Sequence, residues 1–464
     1  MTPHAPVITR AQPIQMKQKK RYVLVGTGGR AISFIEPLVT RHRDDAELLA
    51  LCDTSATRIA HYNALLAGRL GFHAVPAYGA DQFDTMLREC RPDTVIVTSQ
   101  DSTHHDYIIR AVNAGCDVIT EKPMTIDAPK CRAVLDAVAA TGRSVRVAFN
   151  YRWQAYRTRL KELLASGVIG RVHAVNLEYV LDMRHGVDYY RRWHANLANS
   201  GGLLVHKSTH HFDLVNWWLD AIPDEVFARG QLDFYGRTNA VARGDEALTA
   251  YGRYTGEKAA ADDPFRLNLR DGGNLESLYL RAEADSGYLR DRNVFREGID
   301  IYDNMGALVR YRTGALLTYS LVSFSSREGM RVSLTGDRGT VEYHEFLGTH
   351  IIRGQSDAEL DREQSEADRP SEFIRVYPHF KPSYEVSVER PKGGHGGADP
   401  VLMENLFSLS APADPFHRAA GQEQGAASIL VGIAANESIA TGRPVKLTDL
   451  VPLRPAARRL SELI

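Results

Sequence analysis

The fold of this chain is decided by the stretch Tyr22-Val23-Leu24-Val25-Gly26-Thr27-Gly28-Gly29-Arg30-Ala31. Its first residues predict a buried strand, and an amphipathic run with Ile32, Ile35 and Leu38 predicts a helix directly after the glycines. Glycines between a strand and a helix permit a tight turn and a close approach of the backbone to a pyrophosphate. Taken alone, the turn fits an ordinary connection equally well, so its interpretation depends on the surrounding sequence.

The surrounding sequence repeats the alternation of strand and helix. Apolar runs end at Asp53, at Thr98-Ser99 and at Glu121-Lys122-Pro123. Strands that alternate with helices build a parallel sheet, and its ligand lies at the carboxyl ends of the strands. An acidic residue at the position of Asp53 is suited to bind a ribose 2′-hydroxyl, which favours NAD as the cofactor. The polar residues 54–58 that follow leave NADP open.

Length and charge narrow the class of protein. The chain has 464 residues, and single cores stop growing at roughly 250 to 300 residues, so we expect more than one domain. A net charge of −1 gives no excess of positive charge for binding nucleic acid or an anionic membrane. We predict a small-molecule partner instead. The cysteines form no C-x-x-C pair and are typical of reduced thiols in a cytoplasmic protein.

The chain divides into segments of different character. Residues 1–20 are polar and basic with scattered prolines, which predicts a disordered arm, and residues 21–149 carry the predicted Rossmann dinucleotide-binding domain. In residues 150–464, alternating runs joined by hairpin-type turns predict a C-terminal α/β domain with an open, mostly antiparallel sheet. Residues 236–298 have little apolar periodicity, so we expect an insertion that serves as a lid or subunit contact. An exposed sheet face favours a homodimer or homotetramer.

The densest cluster of ionisable side chains lies in residues 200–218. If this segment is helical, His206, His210 and Asp213 share one face, with Lys207 beside them. Three interpretations compete for the cluster: a metal site, a solvated face, and an acid–base face directed at a cofactor.

The composition of the cluster favours the acid–base interpretation. His206 and His210 have the spacing of zinc ligands, but the segment lacks the glutamate of H-E-x-x-H and carries a lysine, so we predict no metal. Charge-rich helix faces are often merely solvated. Histidine, however, titrates near neutral pH and suits proton transfer, and lysine is rarely buried without a partner.

Together these motifs resemble the family of glucose-fructose oxidoreductase, inositol dehydrogenase and rhizopine-catabolism proteins (Gfo/Idh/MocA). The matching motifs are the glycine turn, Asp53, Ser99 to His104, Glu121-Lys122-Pro123, and a Gly-Gly helix with His210 and Asp213. The resemblance covers the first domain and the second to about Leu219. It implies an N-terminal Rossmann domain, a C-terminal α/β domain, a tightly held nicotinamide dinucleotide, and substrates that are mostly sugars, cyclitols and their derivatives.

The resemblance also implies roles for single residues. Lys122 matches the lysine that contacts substrate and nicotinamide ribose, and His210 matches the histidine that acts as general base or acid. Two departures stand out. His206 replaces an aspartate found in many members, which alters the usual proton relay, and Gln100 and Asp101 replace a proline and an asparagine near the nicotinamide.

These arguments give a set of candidate site residues. The cofactor candidates are Gly26, Thr27, Gly28, Gly29, Arg30, Asp53, Ser99, His104, Glu121 and Lys122. The catalytic candidates are Lys122, His210 and His206, and the substrate candidates are Tyr151, Arg152, Trp153, Lys207, His185 and His395. His185 lies in a polar and aromatic run, residues 184–194, which we expect to be a loop, and His395 is flanked by glycines that allow close approach to a ligand. Interdomain packing for Trp153 and a flexible linker around His395 are the alternatives.

We therefore predict a cytoplasmic NAD-dependent oxidoreductase that acts on a secondary ring hydroxyl of a sugar or glycoside. The alternative is an NAD-dependent, redox-neutral glycoside hydrolase that oxidises the ring transiently and eliminates the aglycone. A non-catalytic sensor of NAD or sugar is a third hypothesis, against which the presence of Lys122 and His210 argues.

Overall fold

The computed structural model of the protein describes residues 18–349, 371–389 and 397–463. Most of the predicted arm, residues 1–17, lies outside the described residues, and Lys20 already begins the first strand. The strands within these ranges are β1 (Lys20–Val25), β2 (Ala46–Asp53), β3 (Ala77–Gly79), β4 (Thr94–Val97), β5 (Asp117–Thr120), β6 (Val145–Val147), β7 (Val172–Asp182), β8 (Pro223–Gln231), β9 (Asn304–Tyr311), β10 (Leu316–Ser325), β11 (Arg327–Gly336), β12 (Gly339–Thr349), β13 (Ser371–Pro378), β14 (Tyr384–Val386), β15 (Ala420–Gly421) and β16 (Val445–Lys446).

Helices connect these strands. The α-helices span Ile32–Val39, Ala56–Gly68, Phe83–Cys90, His104–Asn113, Ala128–Thr141, Ala155–Ala165, Met183–Arg191, Leu197–Ser200, Leu203–His206, Thr209–Leu219, Arg237–Ala242, Glu283–Ser286, Ala398–Phe407, Gln422–Thr441 and Leu447–Leu450. Single 3₁₀ turns span Ala80–Gln82, Asp101–Thr103, Asn150–Trp153, Trp193–Ala195, Glu246–Thr249, Lys258–Ala260 and Leu460–Leu463, and a π-helical turn spans Glu276–Leu280. No helix in the described part of the chain is long and apolar enough to cross a bilayer.

The first sheet has seven strands in the order β15-β6-β5-β4-β1-β2-β3. Strands β1 to β6 run parallel, and helices follow most of them, which confirms the predicted Rossmann architecture. Parallel strands covered by helices are buried on both faces, and Val23, Leu24 and Ile96 are indeed inaccessible. The carboxyl ends of these strands meet at one edge of the sheet, where the candidate cofactor residues follow.

The C-terminal part of the chain returns to this first sheet. Strand β15 pairs antiparallel with β6, and Phe407 of the helix Ala398–Phe407 packs edge-on against Tyr22 of β1, with ring centroids 5.3 Å apart. These elements fall within residues 150–464, the range predicted for the second domain, yet they complete the core of the first.

The second sheet has nine strands in the order β14-β13-β12-β11-β7-β10-β9-β8-β16. Strands β7 and β10 are parallel, and the other neighbouring strands are antiparallel, which confirms the prediction of a mostly antiparallel sheet. The helix Gln422–Thr441 packs on β8 and on the short helix Leu203–His206. Gly432 allows this contact, because a Cβ there would lie 2.2 Å from the Leu204 carbonyl oxygen.

Two local predictions are wrong. Residues 184–194, expected as a loop, form the helix Met183–Arg191 and the turn Trp193–Ala195, because the Asp182 carboxylate caps the helix by accepting from two backbone amides. The single helix expected through His206 and Asp213 is interrupted, with one helix ending at His206 and the next beginning at Thr209.

Candidate active site

One large cavity, about 1020 Å³ in volume, runs from the glycine turn of the first domain to the second sheet. Its cofactor-side lining includes Gly26, Gly28, Gly29, Arg30, Asp53, Arg58, Ser99 and Glu121. Its central lining includes Asp101, Lys122, Arg192, His194, His206 and His210, and its far end includes Tyr151, Arg157, Tyr179, His185, Lys207, Glu328 and Glu345. Catalytic and cofactor candidates from distant parts of the sequence therefore share one space.

The glycine turn has the shape that a dinucleotide requires. Gly26 has a φ of +94°, and a Cβ at this position would lie 2.4 Å from the backbone nitrogen of Ser99, so no other residue fits without moving the neighbouring loop. Gly28 and Gly29 line the cavity at the start of the helix Ile32–Val39. Backbone N–H groups at such a turn bind pyrophosphate oxygens, so these residues fit a nicotinamide dinucleotide.

Asp53 ends β2 at the edge of the same cavity. Its Oδ2 accepts hydrogen bonds from the backbone N–H and hydroxyl of Thr27, at 2.5 and 2.9 Å. Its Oδ1 accepts from the Ser55 backbone at 2.8 Å and lies 3.5 Å from Arg58 Nη1. Thr27 is fully buried and does not line the cavity, so its predicted contact with the cofactor is corrected to an indirect one: it holds Asp53 in place.

Glu121 and Lys122 follow β5 and join the turn to the second domain. Arg30 Nε donates to Glu121 Oε1 at 2.6 Å, and the backbone N–H of Lys122 donates to Glu121 Oε2 at 3.0 Å. The Lys122 ammonium donates to the backbone carbonyl oxygen of His206 at 2.9 Å. Burial lowers the pKa of Lys122 to about 8, so the ammonium can lose its proton near physiological pH.

His104 does not line the cavity, although the sequence predicted it as a cofactor-binding residue. It is buried, its Nδ1 and Nε2 lie 2.8 and 3.1 Å from the carbonyl oxygens of Pro123 and Ser99, and it does not line the cavity. It therefore ties together the loops that follow β4 and β5, and it lies outside the lining of the cavity instead of at the predicted cofactor contact. Ser99 does line the cavity, and its hydroxyl lies 2.8 Å from that of Thr103.

His206 forms a pair with Asp101 across the two domains. Asp101 Oδ2 lies 2.5 Å from His206 Nδ1, and the carboxylate is only 3% exposed. Burial raises the pKa of Asp101, although Lys122 opposes the shift. Burial lowers the pKa of His206, and the neighbouring charges of Lys122 and Arg192 lower it further. A carboxylate that accepts from Nδ1 leaves Nε2 as the proton acceptor of a neutral imidazole.

His210 is oriented by packing. Its ring stacks on Tyr151 with centroids 4.0 Å apart and an interplanar angle of 12°. Its Nδ1 is buried and makes no hydrogen bond within the described residues. Burial lowers the pKa of His210, and Lys122 and Lys207 add to this shift. A neutral imidazole is therefore favoured at this position.

The far end of the cavity combines aromatic and charged groups. The Lys207 ammonium donates to the Tyr151 hydroxyl at 3.2 Å and lies 4.9 Å from the centroid of the Tyr179 ring. Glu328 accepts a hydrogen bond from the Tyr179 hydroxyl at 3.0 Å and lies 2.9 Å from Nδ1 of His185. Flat rings beside hydrogen-bonding groups are suited to a polyhydroxylated ring.

The structure contradicts the predicted substrate contacts of two residues, Arg152 and Trp153. Arg152 is wholly inaccessible, and its guanidinium forms a two-fold hydrogen bond with Asp213, at 2.8 and 2.6 Å, in the core. Asp213 thus points away from the histidine cluster and anchors the helix Thr209–Leu219. Trp153 packs in the core under the guanidinium of Arg418, at 4.3 Å. His395 lies outside the described residues.

Residues of the insertion, 236–298, also reach the cofactor end of the cavity. The backbone N–H of Gly29 donates to the Tyr279 hydroxyl at 3.1 Å, and Asp285 accepts from the Ser55 hydroxyl at 2.7 Å. The sequence indicated a lid or subunit contact for this insertion but did not single out these residues. Their neighbours in the sequence carry no motif that would predict a contact with the glycine turn.

The parallel sheet, its glycine turn and the lysine and histidines beside it define the class of protein, an oxidoreductase with a nicotinamide dinucleotide cofactor. The chain belongs to the Gfo/Idh/MocA oxidoreductase family. Residues 20–149 match the family model described as "Oxidoreductase family, NAD-binding Rossmann fold", and residues 161–447 match "Oxidoreductase family, C-terminal alpha/beta domain".

Known proteins support this assignment. The chain is 36% identical over 449 residues to the protein YteT of Bacillus subtilis (strain 168), whose name assigns it to the oxidoreductases, with 94% of this chain and 99% of YteT covered. It is 30% identical over 210 residues to inositol 2-dehydrogenase 3 of Saccharopolyspora erythraea, covering 44% of this chain and 54% of that protein. The WlbA dehydrogenase structure from Bordetella pertussis, with NADH and UDP-GlcNAcA, shares the fold, with a TM-score of 0.59 at 17% identity and coverage of 92% and 99%.

Proposed function

We propose that the protein oxidises, or reversibly reduces, a secondary ring hydroxyl of a sugar or glycoside with NAD as the hydride acceptor. The observation that carries this proposal is that Lys122, His206 and His210 line one cavity with the glycine turn. The names of two proteins described above, an inositol dehydrogenase and a dehydrogenase with a bound nucleotide sugar, support a polyhydroxylated ring as substrate.

Lys122 stabilises the oxygen that becomes negative. The bound nicotinamide supplies the hydride acceptor, and the substrate hydroxyl must lose its proton as the hydride leaves the same carbon. An ammonium held in a buried site stabilises the developing alkoxide more than it would in water. The bond from Lys122 to the His206 carbonyl keeps the ammonium at the centre of the cavity.

His206 accepts the proton, with Asp101 as the residue that orients it. The contact with Asp101 directs the free Nε2 away from the carboxylate, and burial together with the cations Lys122, Arg192 and Lys207 lowers the pKa of His206, which favours the neutral imidazole. His210, which the family resemblance suggests as the base, has no carboxylate partner among the described residues. In this proposal it binds the substrate ring together with Tyr151.

NAD is the proposed form of the cofactor. Asp53 lines the cavity at the end of β2, the position at which an acidic residue binds a ribose 2′-hydroxyl and would repel a 2′-phosphate, and a second carboxylate, Asp285, accepts from the Thr57 backbone at the start of the next helix. Arg58 is in contact with Asp53 at 3.5 Å and donates to the Leu278 carbonyl at 3.1 Å, so these contacts partly neutralise and orient its guanidinium. Comparison of Kd values for NAD⁺ and NADP⁺ tests this preference.

One assay separates the proposed dehydrogenase from the redox-neutral glycosidase. The purified protein, its cofactor content determined, is incubated with free sugars, cyclitols and nitrophenyl glycosides while NADH absorbance and aglycone release are recorded together. Net NADH formation without release supports the dehydrogenase. Aglycone release without net NADH, abolished by removal of the dinucleotide, would refute it. None of the relatives described above carries the name of a glycosidase, and no contact among the described residues of the cavity favours that alternative.

We also propose a homodimer or homotetramer built on the second sheet. Leu308 and Leu316 are 44% and 46% exposed on adjacent strands of its open face. Light scattering after size-exclusion chromatography measures the molar mass and tests this assembly.

A further inference from the structure

The backbone amide of Gly29 has an unusual partner. It lies in the glycine turn, where N–H groups bind the pyrophosphate of a dinucleotide. Here it donates to the hydroxyl of Tyr279, 250 positions later in the chain, at 3.1 Å. A Cβ on Gly29 would lie 2.9 Å from this hydroxyl, so the tyrosine is in close contact with the turn.

The position of Tyr279 is fixed by bonds on both sides of it. Arg58 Nε donates to the carbonyl oxygen of Leu278 at 3.1 Å. Asp285 accepts from the Ser55 hydroxyl at 2.7 Å and from the Thr57 backbone at 2.9 Å, at the N-terminus of the helix Ala56–Gly68. The insertion is therefore attached to the loop after β2 as well as to the glycine turn.

The arginine of the turn is already in contact with two carboxylates. Arg30 Nε is bonded to Glu121 at 2.6 Å, and its Nη1 lies 3.6 Å from Asp399. The Tyr279 hydroxyl accepts from the Gly29 amide and has no acceptor of its own within the described residues. A phosphate oxygen at the Gly29 amide would lie beside this hydroxyl.

We propose that Tyr279 is a cofactor-positioning residue whose hydroxyl occupies a phosphate-oxygen position in the free protein and donates a hydrogen bond to the pyrophosphate in the complex. A charged phosphate oxygen is a stronger acceptor than a phenol, so it takes the Gly29 N–H. The phenol proton then points to a phosphate oxygen. The insertion thus forms part of the dinucleotide site, where it closes the outer side of the turn.

Binding measurements with the variant Tyr279→Phe test the proposal. The variant keeps the ring and removes the hydroxyl. After removal of bound dinucleotide, isothermal titration calorimetry gives Kd values for NAD⁺, ADP-ribose and adenosine. We expect binding of NAD⁺ and ADP-ribose to weaken by about 10- to 100-fold, as for loss of a hydrogen bond to a charged group, and adenosine binding to stay unchanged because it lacks phosphate.

A matched control removes another hydroxyl from the same insertion. Tyr251 bonds to Asp263 and does not line the cavity, so Tyr251→Phe should bind all three ligands as the wild-type protein does. Wild-type or tighter binding of NAD⁺ and ADP-ribose by Tyr279→Phe would overturn the proposal. An equal loss for adenosine would also overturn it, because the hydroxyl would then act on the docking of the insertion and not on the pyrophosphate.

Discussion

Replacement of Asp101 by asparagine tests the proton acceptor directly. Asparagine keeps the size of the side chain and an oxygen that can accept from His206 Nδ1, which lies 2.5 Å from the present carboxylate. Only the negative charge is removed. In Asp101→Asn, His206 should therefore keep its orientation and lose part of its affinity for a proton.

The magnitude follows from the geometry of the pair. A carboxylate and an imidazolium with charge centres about 4 Å apart attract by about 4 kcal/mol at an effective dielectric constant of ~20. This energy corresponds to an upper limit of about three pKa units. In the proposed mechanism neutral His206 is the active form, so we expect activity to be lost as pH falls through the pKa of this histidine. Loss of the anion lowers that pKa, and the acidic limb of the pH–rate profile must move to lower pH.

Turnover should also decrease, because a weaker base transfers the proton less efficiently. We expect kcat at the optimum to fall by about 10- to 100-fold, less than the ~10²- to 10⁴-fold that a general base contributes in full, because His206 is still present. The assay is kcat as a function of pH with saturating NAD⁺ and substrate. Asp106→Asn serves as a control, because Asp106 is an exposed carboxylate paired with Arg110 at 3.0 Å. Two results together would refute the role of His206. The first is that Asp101→Asn keeps both its kcat and the acidic limb of its pH–rate profile unchanged. The second is that His210→Asn displaces this acidic limb.

Three other outcomes follow from the structure. Lys122→Ala should bind NAD⁺ normally by calorimetry and lose about 10²- to 10³-fold in kcat, as for loss of one group that stabilises an oxyanion; near-normal turnover would contradict its role. In the wild-type protein kcat should fall as pH rises above about 8, because burial lowers the pKa of Lys122 to about 8 and the ammonium is the active form; a flat profile to higher pH would contradict this. Arg152→Met leaves Asp213 buried without its partner, so chemical denaturation should show a loss of about 3 to 5 kcal/mol in the free energy of unfolding. Arg69→Met, which breaks an exposed pair with Glu36, should cost about 0 to 1 kcal/mol, and equal losses in both variants would disprove the argument.

The fold was predictable because its signals are local. The strand, turn and helix of residues 22–39 are contiguous, and the apolar runs that end at Asp53 and Glu121 have the length and order of parallel strands. A strand end and a histidine-rich segment were enough to propose Lys122 and His210 as candidates, and both line the cavity. These features depend on neighbours in the sequence, so tertiary contacts did not override them.

Residues whose roles depend on distant partners were not predictable in the same way. Arg152 has the composition of a surface or ligand contact, and only Asp213, 61 residues later, makes it a core residue. Asp101 stood out as a departure from the family pattern, but its contact with His206 spans 105 residues. Tyr279 gave no local signal, because its partner is the amide of a glycine 250 residues earlier in the chain.

The contacts at the centre of the cavity cross between the two domains. Lys122 and Asp101 belong to the first domain, and both bind His206 of the second, while Gln100 donates to Asn199 at 2.8 Å beside them. The proposed acid–base group is therefore assembled only where the two domains meet. A movement that parted the domains at this point would separate the imidazole from its carboxylate and from the ammonium. In the proposed mechanism, proton transfer is thus confined to the state in which these contacts are made.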